Sequence, residues 1–498
     1  MMMNNLLIMP ILIPLFAGMM LILFKQHILL QRALGVIALI LTGASAAALI
    51  RRIETEGIQT LQLGGWQAPY GISLVADMFS VLLVLTASIV AIGCLLFAFR
   101  TIGRERESNY FYPLVLFLIT GVNGSFLTGD LFNLYVFFEL LLIASYVLVS
   151  LGGTKIQLRE AMTYVIINVI SSSFFLVAIG YLYSMAGTLN LAHLSLRVEE
   201  AGQDGLLTAA ALLLLMVLAI KAGLFLFYWL PGAYSAPPAA AAALFAALLT
   251  KVGIYAIIRI FTLVFVHHPQ ITHMAIGILA ALTMLLGGLG ASGYWDIKKI
   301  LTYNVIIGAG FILAGLAAFS LEGLAGSVYY LIHDMISKAL VFLIGGTMIH
   351  LTGTSDLKNM SGLIRTHPVL GWIFFTAAMA LAGIPPLSGF LGKVYITAGT
   401  FESGSYWLGG IGLFASMMIL YSVLKIFMNA FWGETVLSKE EEKGTTKGLM
   451  LPIVAFAAFT VILGAGAEWF FPYAEMAAKG LLNPDLYIDA VFAGNPVP

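Results

Sequence analysis

Several long apolar stretches of this sequence contain a charged residue deep inside them. Glu139, Lys221, Lys251, Lys338 and Lys393 are the clearest cases. An ionisable group held in hydrocarbon is costly and generally serves a function. Burial removes the hydration of a lysine ammonium and favours the neutral amine, so such a residue can release and rebind a proton. These residues therefore indicate a path for protons through a membrane.

Glu139 and Lys221 are predicted to be the first members of this path. Glu139 lies about eight residues into its stretch, roughly 12 Å along a helix and near mid-membrane. An approaching lysine would favour its carboxylate, so Glu139 could act as a switchable partner rather than as a static ion pair. Lys221 precedes a proline-containing sequence and lies too deep to snorkel easily to an interface, which makes it the best single candidate for a proton carrier.

Lys251 and Lys393 are similar candidates, and Lys393 is interpreted as a terminal relay or exit group. His333, Asp334 and Lys338 occur together in one stretch. Asp334 and Lys338 are four residues apart and face each other on a helix, which allows a structural ion pair. Imidazole titrates near neutral pH, so His333 is predicted to pass protons, with a hydrogen-bonded core histidine as the alternative.

Three weaker candidates surround these groups. Asp77 and Lys425 fit an ion path and a buried structural charge equally well. Arg259 lies two helical turns after Lys251 on the same face and cannot deprotonate, which favours a fixed electrostatic role. Cys94, the one cysteine, is expected to pack in the core. No loop carries a phosphate-binding glycine fingerprint or clustered metal ligands, so we expect no cofactor and no metal.

Composition assigns the class of protein. Hydrophobic residues make up 61% of the chain and charged residues 10%, and the mean hydropathy is +1.00. A soluble chain of 498 residues could not bury so much apolar surface. Apolar stretches of about 20 residues predict membrane-spanning helices rather than barrel strands. The zero net charge gives no indication of nucleic-acid binding. The chain is therefore predicted to be an all-α, polytopic membrane protein.

Fourteen stretches are long enough to be predicted as spans, and the first is interpreted as a retained helix rather than a cleaved signal. They lie near residues 6–24, 33–50, 72–99, 111–127, 131–151, 161–185, 206–230, 239–266, 274–294, 300–319, 324–351, 369–398, 406–432 and 449–471.

Basic residues predict the orientation of these spans. Even-numbered loops contain three of them, Arg51, Arg52 and Arg197. Fourteen lie in odd-numbered loops, namely Lys25, Arg32, Arg100, Arg104, Arg106, Lys155, Arg159, Lys298, Lys299, Lys358, Arg365, Lys439, Lys443 and Lys447. Because positive charge is retained on the cytoplasmic side, the odd loops are expected inside and both termini outside.

Spans 7 and 12 contain or run into Pro-Pro pairs, at 237–238 and 385–386, which predicts interrupted helices. Aligning spans 4–8 with spans 9–13 places the two broken helices on each other, Lys221 opposite Lys393 and Lys251 opposite Lys425. Each unit has five spans, so the second would enter the membrane from the other side, as in inverted-repeat transporters. The predicted segments are a three-span part at 1–110, the two repeats at 111–266 and 267–432, and a loop, last span and external tail at 433–498.

These motifs resemble the antiporter-like membrane subunits shared by respiratory complex I, membrane-bound hydrogenases and Mrp-type multisubunit sodium/proton antiporters. The resemblance covers nearly the whole chain and includes Phe-Phe-Glu in span 5, the lysine before Trp-Leu-Pro, Leu-Thr-Lys in span 8 and Pro-Pro-Leu-Ser-Gly-Phe in span 12. Residues 129–146 (GDLFNLYVFFELLLIASY) and 229–255 (WLPGAYSAPPAAAAALFAALLTKVGIY) look most like the D-subunit family of Mrp antiporters.

The resemblance implies a subunit of the bacterial inner membrane that works with about six partners, including the large A subunit and small hydrophobic subunits, to expel sodium in exchange for protons. It also implies that Glu139 and Lys221 form the core pair and that Lys251, His333, Lys338 and Lys393 form the relay. One alternative is a proton-pumping subunit of a redox complex. A structural scaffold is a second, but the excess of buried lysine over buried acid argues against it.

Overall fold

The computed structural model describes residues 5–203, 205–435 and 440–493. Lys439, one of the basic residues counted above, and residues 494–498 of the predicted external tail lie outside this part of the chain. Helices account for most of the described residues, and they are accompanied by one two-stranded antiparallel sheet. The predicted helical, polytopic class is confirmed at this level.

The described chain forms twenty-one α-helices, α1 to α21 in chain order. They are Met9–Leu23, Ile28–Glu56, Met78–Thr101, Arg104–Ser108, Phe111–Leu127, Leu131–Ser150, Lys155–Ala186, Leu191–Ala201, Gly205–Ala222, Leu230–Ser235, Ala239–Leu263, Pro269–Gly293, Ile297–Ala318, Leu321–Thr352, Leu363–Thr366, Pro368–Ala382, Ser388–Glu402, Tyr406–Ile426, Met450–Ala465, Ala467–Leu482 and Pro484–Phe492. The strands are β1 (Gln59–Gln62) and β2 (Ser73–Ala76).

Ten of the described helices are long and apolar enough to cross a membrane, or eleven if the bent pair α19 and α20 is one span. Three more apolar helices, α1, α5 and α16, are shorter. By length and composition the predicted number of fourteen spans is therefore not reached. Helices α1 and α16 are shorter than their predicted stretches because residues 6–8 and 383–387 are not helical. Helix α5 has the predicted bounds 111–127 but contains only 17 residues.

The last predicted span, 449–471, is not a single straight helix. α19 and α20 meet at an angle of 80° next to Gly466. The α19 backbone approaches another turn closely, since a Cβ on Gly464 would lie 2.4 Å from the carbonyl oxygen of Pro386. The bend therefore lies beside a close contact with a distant part of the chain, which local sequence does not report.

Two interruptions lie beside candidate residues. α9 ends at Ala222, one residue after Lys221, and the next helix begins at Leu230. α16 ends at Ala382 and is followed by Gly383 in the left-handed conformation, before α17 begins at Ser388. Since proline cannot donate a backbone hydrogen bond, the Pro-Pro sequence at 385–386 lies between helices rather than inside one.

Helix α11 forms the centre of the bundle. Every residue from Ala240 to Leu263 is buried, and helices α3, α5, α9, α13 and α14 pack around it. Its alanine-rich first half allows these neighbours to approach closely. A helix that is apolar on all sides suits such a position, so the two charges of α11, Lys251 and Arg259, are held in the interior.

One end of the bundle, which we call the hairpin face, carries strands β1 and β2. Gln59 pairs with Ala76 in antiparallel register, and Leu74 forms a bridge to Thr128. The terminal helix α21 reaches this hairpin, since Thr60 Oγ1 donates to the carbonyl oxygen of Ala490 at 3.3 Å. The hairpin and α21 therefore cover one end of the transmembrane helices.

Two further isolated β-bridges lie at opposite ends of the bundle. Asp130 pairs with Asn190 at the hairpin face, and Asp296 pairs with Asp356 at the opposite face. The same number of residues separates Asp130 from Asp296 and Asn190 from Asp356. The flanking backbone hydrogen bonds correspond in the same way: Leu131 to Leu189, Leu191 to Gly129, Ile297 to Ser355 and Leu357 to Trp295.

Candidate functional site

The first group of candidate residues joins three helices through a serine. Ser172 Oγ, on α7, donates to Glu139 Oε1, on α6. Lys221 Nζ, on α9, donates to the same Ser172 oxygen at 3.0 Å and lies 5.3 Å from the centre of the Phe138 ring. Lys221 is 4% exposed. The structure thus brings the two predicted partners together, but through a hydroxyl rather than by direct contact.

The end of α9 beside Lys221 is held in place by aromatic and glycine contacts. Trp229 Nε1 donates to the Ile220 carbonyl oxygen at 3.1 Å and so satisfies part of the helix end. A Cβ on Gly253 of α11 would lie 2.6 Å from the Ala222 nitrogen, so only glycine permits this approach of the two backbones. That approach places the helix of Lys221 against the helix of Lys251.

The second group is a buried carboxylate shared by two lysines. Asp334 Oδ2, on α14, lies 2.7 Å from Lys251 Nζ, and Asp334 Oδ1 lies 3.2 Å from Lys338 Nζ. All three side chains are fully buried. Gly308 of α13 makes room for the carboxylate, since a Cβ there would lie 2.7 Å from Asp334 Oδ1. Asp334, predicted to be auxiliary, therefore lies at the centre of this group.

If Lys251 and Lys338 are both protonated, the single carboxylate of Asp334 cannot neutralise their two positive charges. Repulsion is strong in the interior because the effective dielectric constant is low. Releasing one proton from either lysine leaves a neutral amine beside a balanced ion pair. Lys251 Nζ also donates to the Ala246 carbonyl oxygen at 3.0 Å, an acceptor that serves a neutral amine as well as an ammonium. The arrangement can therefore hold one or two protons on its lysines.

His333 connects this helix to the interruption before α17. Its Nδ1 lies 2.7 Å from Ser388 Oγ and 3.1 Å from Ser337 Oγ. Its Nε2 is buried and has no hydrogen-bond partner among the described residues. The histidine therefore contacts the first residue of α17 and keeps one ring nitrogen available for exchange.

Lys393 lies where α16 ends. Its Nζ donates to the carbonyl oxygens of Leu381 at 2.9 Å and Ala382 at 3.0 Å. These carbonyls lack helical partners because the helix stops there, and the negative end of the helix dipole favours a cation. The Phe311 ring centre is 5.4 Å from the ammonium nitrogen. The interruption thus supplies the site in which Lys393 is held.

Asp77 and Arg259 pair with each other, with Arg259 Nη2 2.6 Å from Asp77 Oδ2. Asp77 also caps α3, because its carboxylate accepts from the Ser80 backbone nitrogen at 2.9 Å. Lys425 is placed differently. Its Nζ donates to the Ser292 and Tyr294 carbonyl oxygens at 3.0 and 2.8 Å near the opposite face. These two contacts hold Lys425 at a helix end rather than among the buried charges.

Sequence reasoning missed the serines. Ser172 links Glu139 to Lys221. Ser388 connects His333 to the start of α17, and Ser337 contacts the same histidine nitrogen from the next turn of α14. The separation that relates the two β-bridges also relates Ser172 to Lys338, but it is recognised only once the bridges are known. No cluster of three or more His, Cys, Asp or Glu that could hold a metal ion occurs in the described part of the chain.

The bundle of apolar helices and its buried ionisable side chains define a polytopic membrane protein with a polar interior. The sequence profile of the family described as "NADH:quinone oxidoreductase/Mrp antiporter, TM" matches residues 128–419, which is more than half of the chain. The chain belongs to this family of membrane subunits.

Individual proteins and solved structures are similar to this chain over nearly its whole length. A protein of Bacillus subtilis (strain 168) named as the D subunit of a Na(+)/H(+) antiporter is 50% identical over 490 residues, which cover 98% of this chain and 99% of the relative. A chain of the Mrp complex from Dietzia sp. DQ12-45-1b superposes with a TM-score of 0.91 at 29% identity, over 98% of this chain and 100% of that one. A chain of respiratory complex I from Thermus thermophilus gives 0.81 at 25% identity, over 96% and 100%.

Proposed function

We propose that this chain is the D subunit of an Mrp-type multisubunit Na⁺/H⁺ antiporter in the bacterial inner membrane, where it moves protons in exchange for sodium export. It works with about six other subunits, including the large A subunit and small hydrophobic ones, and it is a transporter subunit rather than an enzyme. The full-length identity of 50% to the Bacillus subtilis antiporter protein supports this assignment. The redox-complex alternative has weaker support, since the complex I chain is 25% identical.

The single observation that carries the proposed mechanism is the sharing of Asp334 by Lys251 and Lys338. A carboxylate between two fully buried lysines stabilises one added positive charge and disfavours a second. A proton that arrives on one lysine therefore promotes release from the other. In this scheme protons pass from Glu139 and Lys221 to this group, and onward through His333 to Lys393.

Access to Lys221 is proposed from the opposite face. A cavity of about 720 Å³ opens at the interruption after α9, and its lining includes Glu160, Asp296 and Lys298. Lys298 Nζ donates to the Ser235 carbonyl oxygen at 3.1 Å and so holds the short helix α10 against α13. Charged walls of both signs favour water, which can carry protons to the helix end where Lys221 lies.

The inverted repeat is proposed for spans 4–8 and 9–13, in segments 111–266 and 267–432, flanked by 1–110 and 433–498. Corresponding β-bridges on opposite faces support it. So do helices α7 and α14, which both have 32 residues and both end at a left-handed glycine. The fixed separation relates Ser172 to Lys338 and Arg259 to Lys425, rather than lysine to lysine.

We also propose that the chain crosses the membrane fourteen times. The ten long helices, the bent pair and the three shorter apolar helices together occupy the fourteen predicted stretches. With odd loops in the cytoplasm, the hairpin face is external, as are both termini.

The test uses the whole antiporter complex in inverted vesicles, with a pH-sensitive dye reporting proton movement when sodium is added. Lys221→Ala is expected to abolish the sodium-driven signal while the amount of assembled complex stays unchanged. Lys155→Ala, at the exposed start of α7, is the matched lysine control and should behave like the native chain. Retained exchange in Lys221→Ala would contradict the proposal. Copurification with redox subunits instead of antiporter subunits would favour the alternative.

A further inference from the structure

Arg259 lies inside a cage of three aromatic rings near the hairpin face. Its guanidinium carbon is 5.6 Å from the ring centre of Phe79, 5.5 Å from that of Tyr255 and 5.1 Å from that of Tyr487. The fourth neighbour is Asp77, in the ion pair described above. Arg259 is 4% exposed and Tyr487 is 3% exposed. The terminal helix α21 thus contributes one wall of a closed site around a permanent positive charge.

This cage lies next to the buried group formed by Asp334, Lys251 and Lys338, on the side of the hairpin face. Lys251, Tyr255 and Arg259 occupy successive turns of α11, so Arg259 is about 12 Å from Lys251 along the helix axis. Tyr255 lies between these two residues on the helix, and its Oη donates to the Phe126 carbonyl oxygen at 2.6 Å. Any opening around Arg259 would therefore lead toward Lys251.

On the other side of the cage lies a polar cavity. It has a volume of about 520 Å³ at the hairpin face, and its lining includes Tyr70, Asp130 and Arg197. Gly129, the neighbour of Asp130, is in contact with α21, since a Cβ on Gly129 would lie 3.1 Å from Tyr487 Oη. The Tyr487 side chain thus lies between the guanidinium of Arg259 and Gly129, which precedes the cavity-lining Asp130.

A membrane relay exchanges ions only if its middle is never open to both sides at once. The interruption beside Lys221 faces a cavity at the opposite face, so the hairpin end of α11 must be closed. Aromatic rings around a guanidinium exclude water and hold the cation by its electrostatic attraction to their faces. A buried arginine cannot lose its proton and repels other cations.

We propose that α21 is the seal at the hairpin end of this ion path, and that Tyr487 is the positioning residue that holds Arg259 and Asp77 closed against the cavity. This inference rests on the proposed function. α21 is attached to the hairpin by hydrogen bonds from Thr60 Oγ1 and Gln62 Nε2 to the Ala490 and Val491 carbonyl oxygens, both 3.3 Å. The hairpin and the terminal helix thereby act as one cover.

The first experiment measures passive proton leak through the assembled complex in vesicles, with a pH step imposed and no sodium present. Tyr487→Ala removes one wall of the cage and is expected to raise the leak severalfold over the native complex. Tyr487→Phe keeps the ring and should return the leak to near the native rate. Leu486→Ala is the matched control, because Leu486 is half-exposed on the same helix. A leak in Tyr487→Ala equal to that of the control would overturn the seal.

A second measurement leaves Tyr487 intact and so does not depend on the folding of its variants. The chain has one cysteine, Cys94, which is fully buried. Single cysteines are placed at exposed Tyr70 and at buried Ala256, which lies beside Tyr255 on α11 and is not a wall of the cage. The complex in lipid nanodiscs is then treated with a membrane-impermeant maleimide. Labelling of Tyr70→Cys but not of Ala256→Cys supports the seal, and equal labelling contradicts it. Failure of the proposed function is recognised separately, as sodium-driven exchange retained in Lys221→Ala.

Discussion

Asp334 and Lys251 face each other across α14 and α11, with Oδ2 2.7 Å from Nζ and neither side chain exposed. The same carboxylate reaches Lys338 on its own helix. Removing a charge partner from a buried ion pair is costly, whereas replacing the whole pair with apolar groups can be neutral. The group is therefore sensitive to the number of charges it contains, which is the property that a proton relay requires.

Asp334→Asn should abolish sodium-driven proton movement, because two lysines would then share a neutral amide. We expect a stability loss of about 3–5 kcal/mol, the cost of leaving a buried charge without its partner. The midpoint of thermal unfolding of the purified complex and the vesicle signal would be measured together. Glu322→Gln, at the exposed start of the same helix, is the control.

A double variant separates charge from packing. Adding Lys338→Met to Asp334→Asn removes one of the two lysine charges, so part of the lost thermal stability should return while exchange stays absent. Stability that falls further in the double variant would contradict the proposed charge balance.

Gly308→Ala tests the fit of the carboxylate. Its new Cβ would lie 2.7 Å from Asp334 Oδ1, so the carboxylate must move away from one of its lysines. We expect the exchange rate in vesicles to fall clearly while the complex still assembles. Gly180→Ala is the matched control on α7, since nothing lies within 4 Å of its Cβ position. Alanine there should stabilise the helix by roughly 0.5–1 kcal/mol and leave exchange unchanged.

The sequence predicted that the four lysines of the proposed path are buried, because depth follows from position within an apolar stretch, whereas Glu139 is only partly buried. It also predicted that Asp334 and Lys338 face each other, since helix periodicity alone determines this. It did not predict the contact between Asp334 and Lys251, which depends on how α11 and α14 pack. Gly308 makes room for that carboxylate, but a glycine in a helix does not reveal which partner it admits.

Other differences have the same origin. Beside the 80° bend at Gly466, Gly464 closely approaches Pro386, more than seventy residues earlier in the chain. The fourteen predicted spans are not all confirmed by length and composition, because α1, α5 and α16 are too short to be counted among the long apolar helices. Local sequence reports hydrophobicity and helix-breaking residues, whereas these features arise from contacts between distant segments.

Comparing Lys393 with Lys425 tests whether sodium-driven proton movement depends on where a lysine lies in the polar interior. Both side chains donate hydrogen bonds to carbonyl oxygens at helix ends. Lys393 is buried beside Tyr330 and His333, whereas Lys425 is partly exposed near the opposite face. Lys393→Gln should eliminate sodium-driven proton movement, and Lys425→Gln should retain most of it. Equal loss in the two variants, at equal abundance of the complex, would show that Lys425 also carries protons.

Ser172 links the first two proposed proton carriers, Glu139 and Lys221. Ser172→Ala removes the hydroxyl that donates to Glu139 and accepts from Lys221, so a transfer between them would have to cross a wider gap. We expect the exchange rate to fall about tenfold, which corresponds to about 1.4 kcal/mol and is within the usual range for one hydrogen bond.

The neighbouring serine supplies the control for this change. Ser173 is also a serine of α7, but it points away from Glu139 and Lys221. Its hydroxyl donates to the Val169 carbonyl oxygen. Ser173→Ala should therefore keep the native rate, while Ser172→Thr, which restores a hydroxyl, should recover part of it. If Ser172→Ala exchanged at the native rate, Glu139 and Lys221 would have to communicate by another route, and the serine bridge would be structural only.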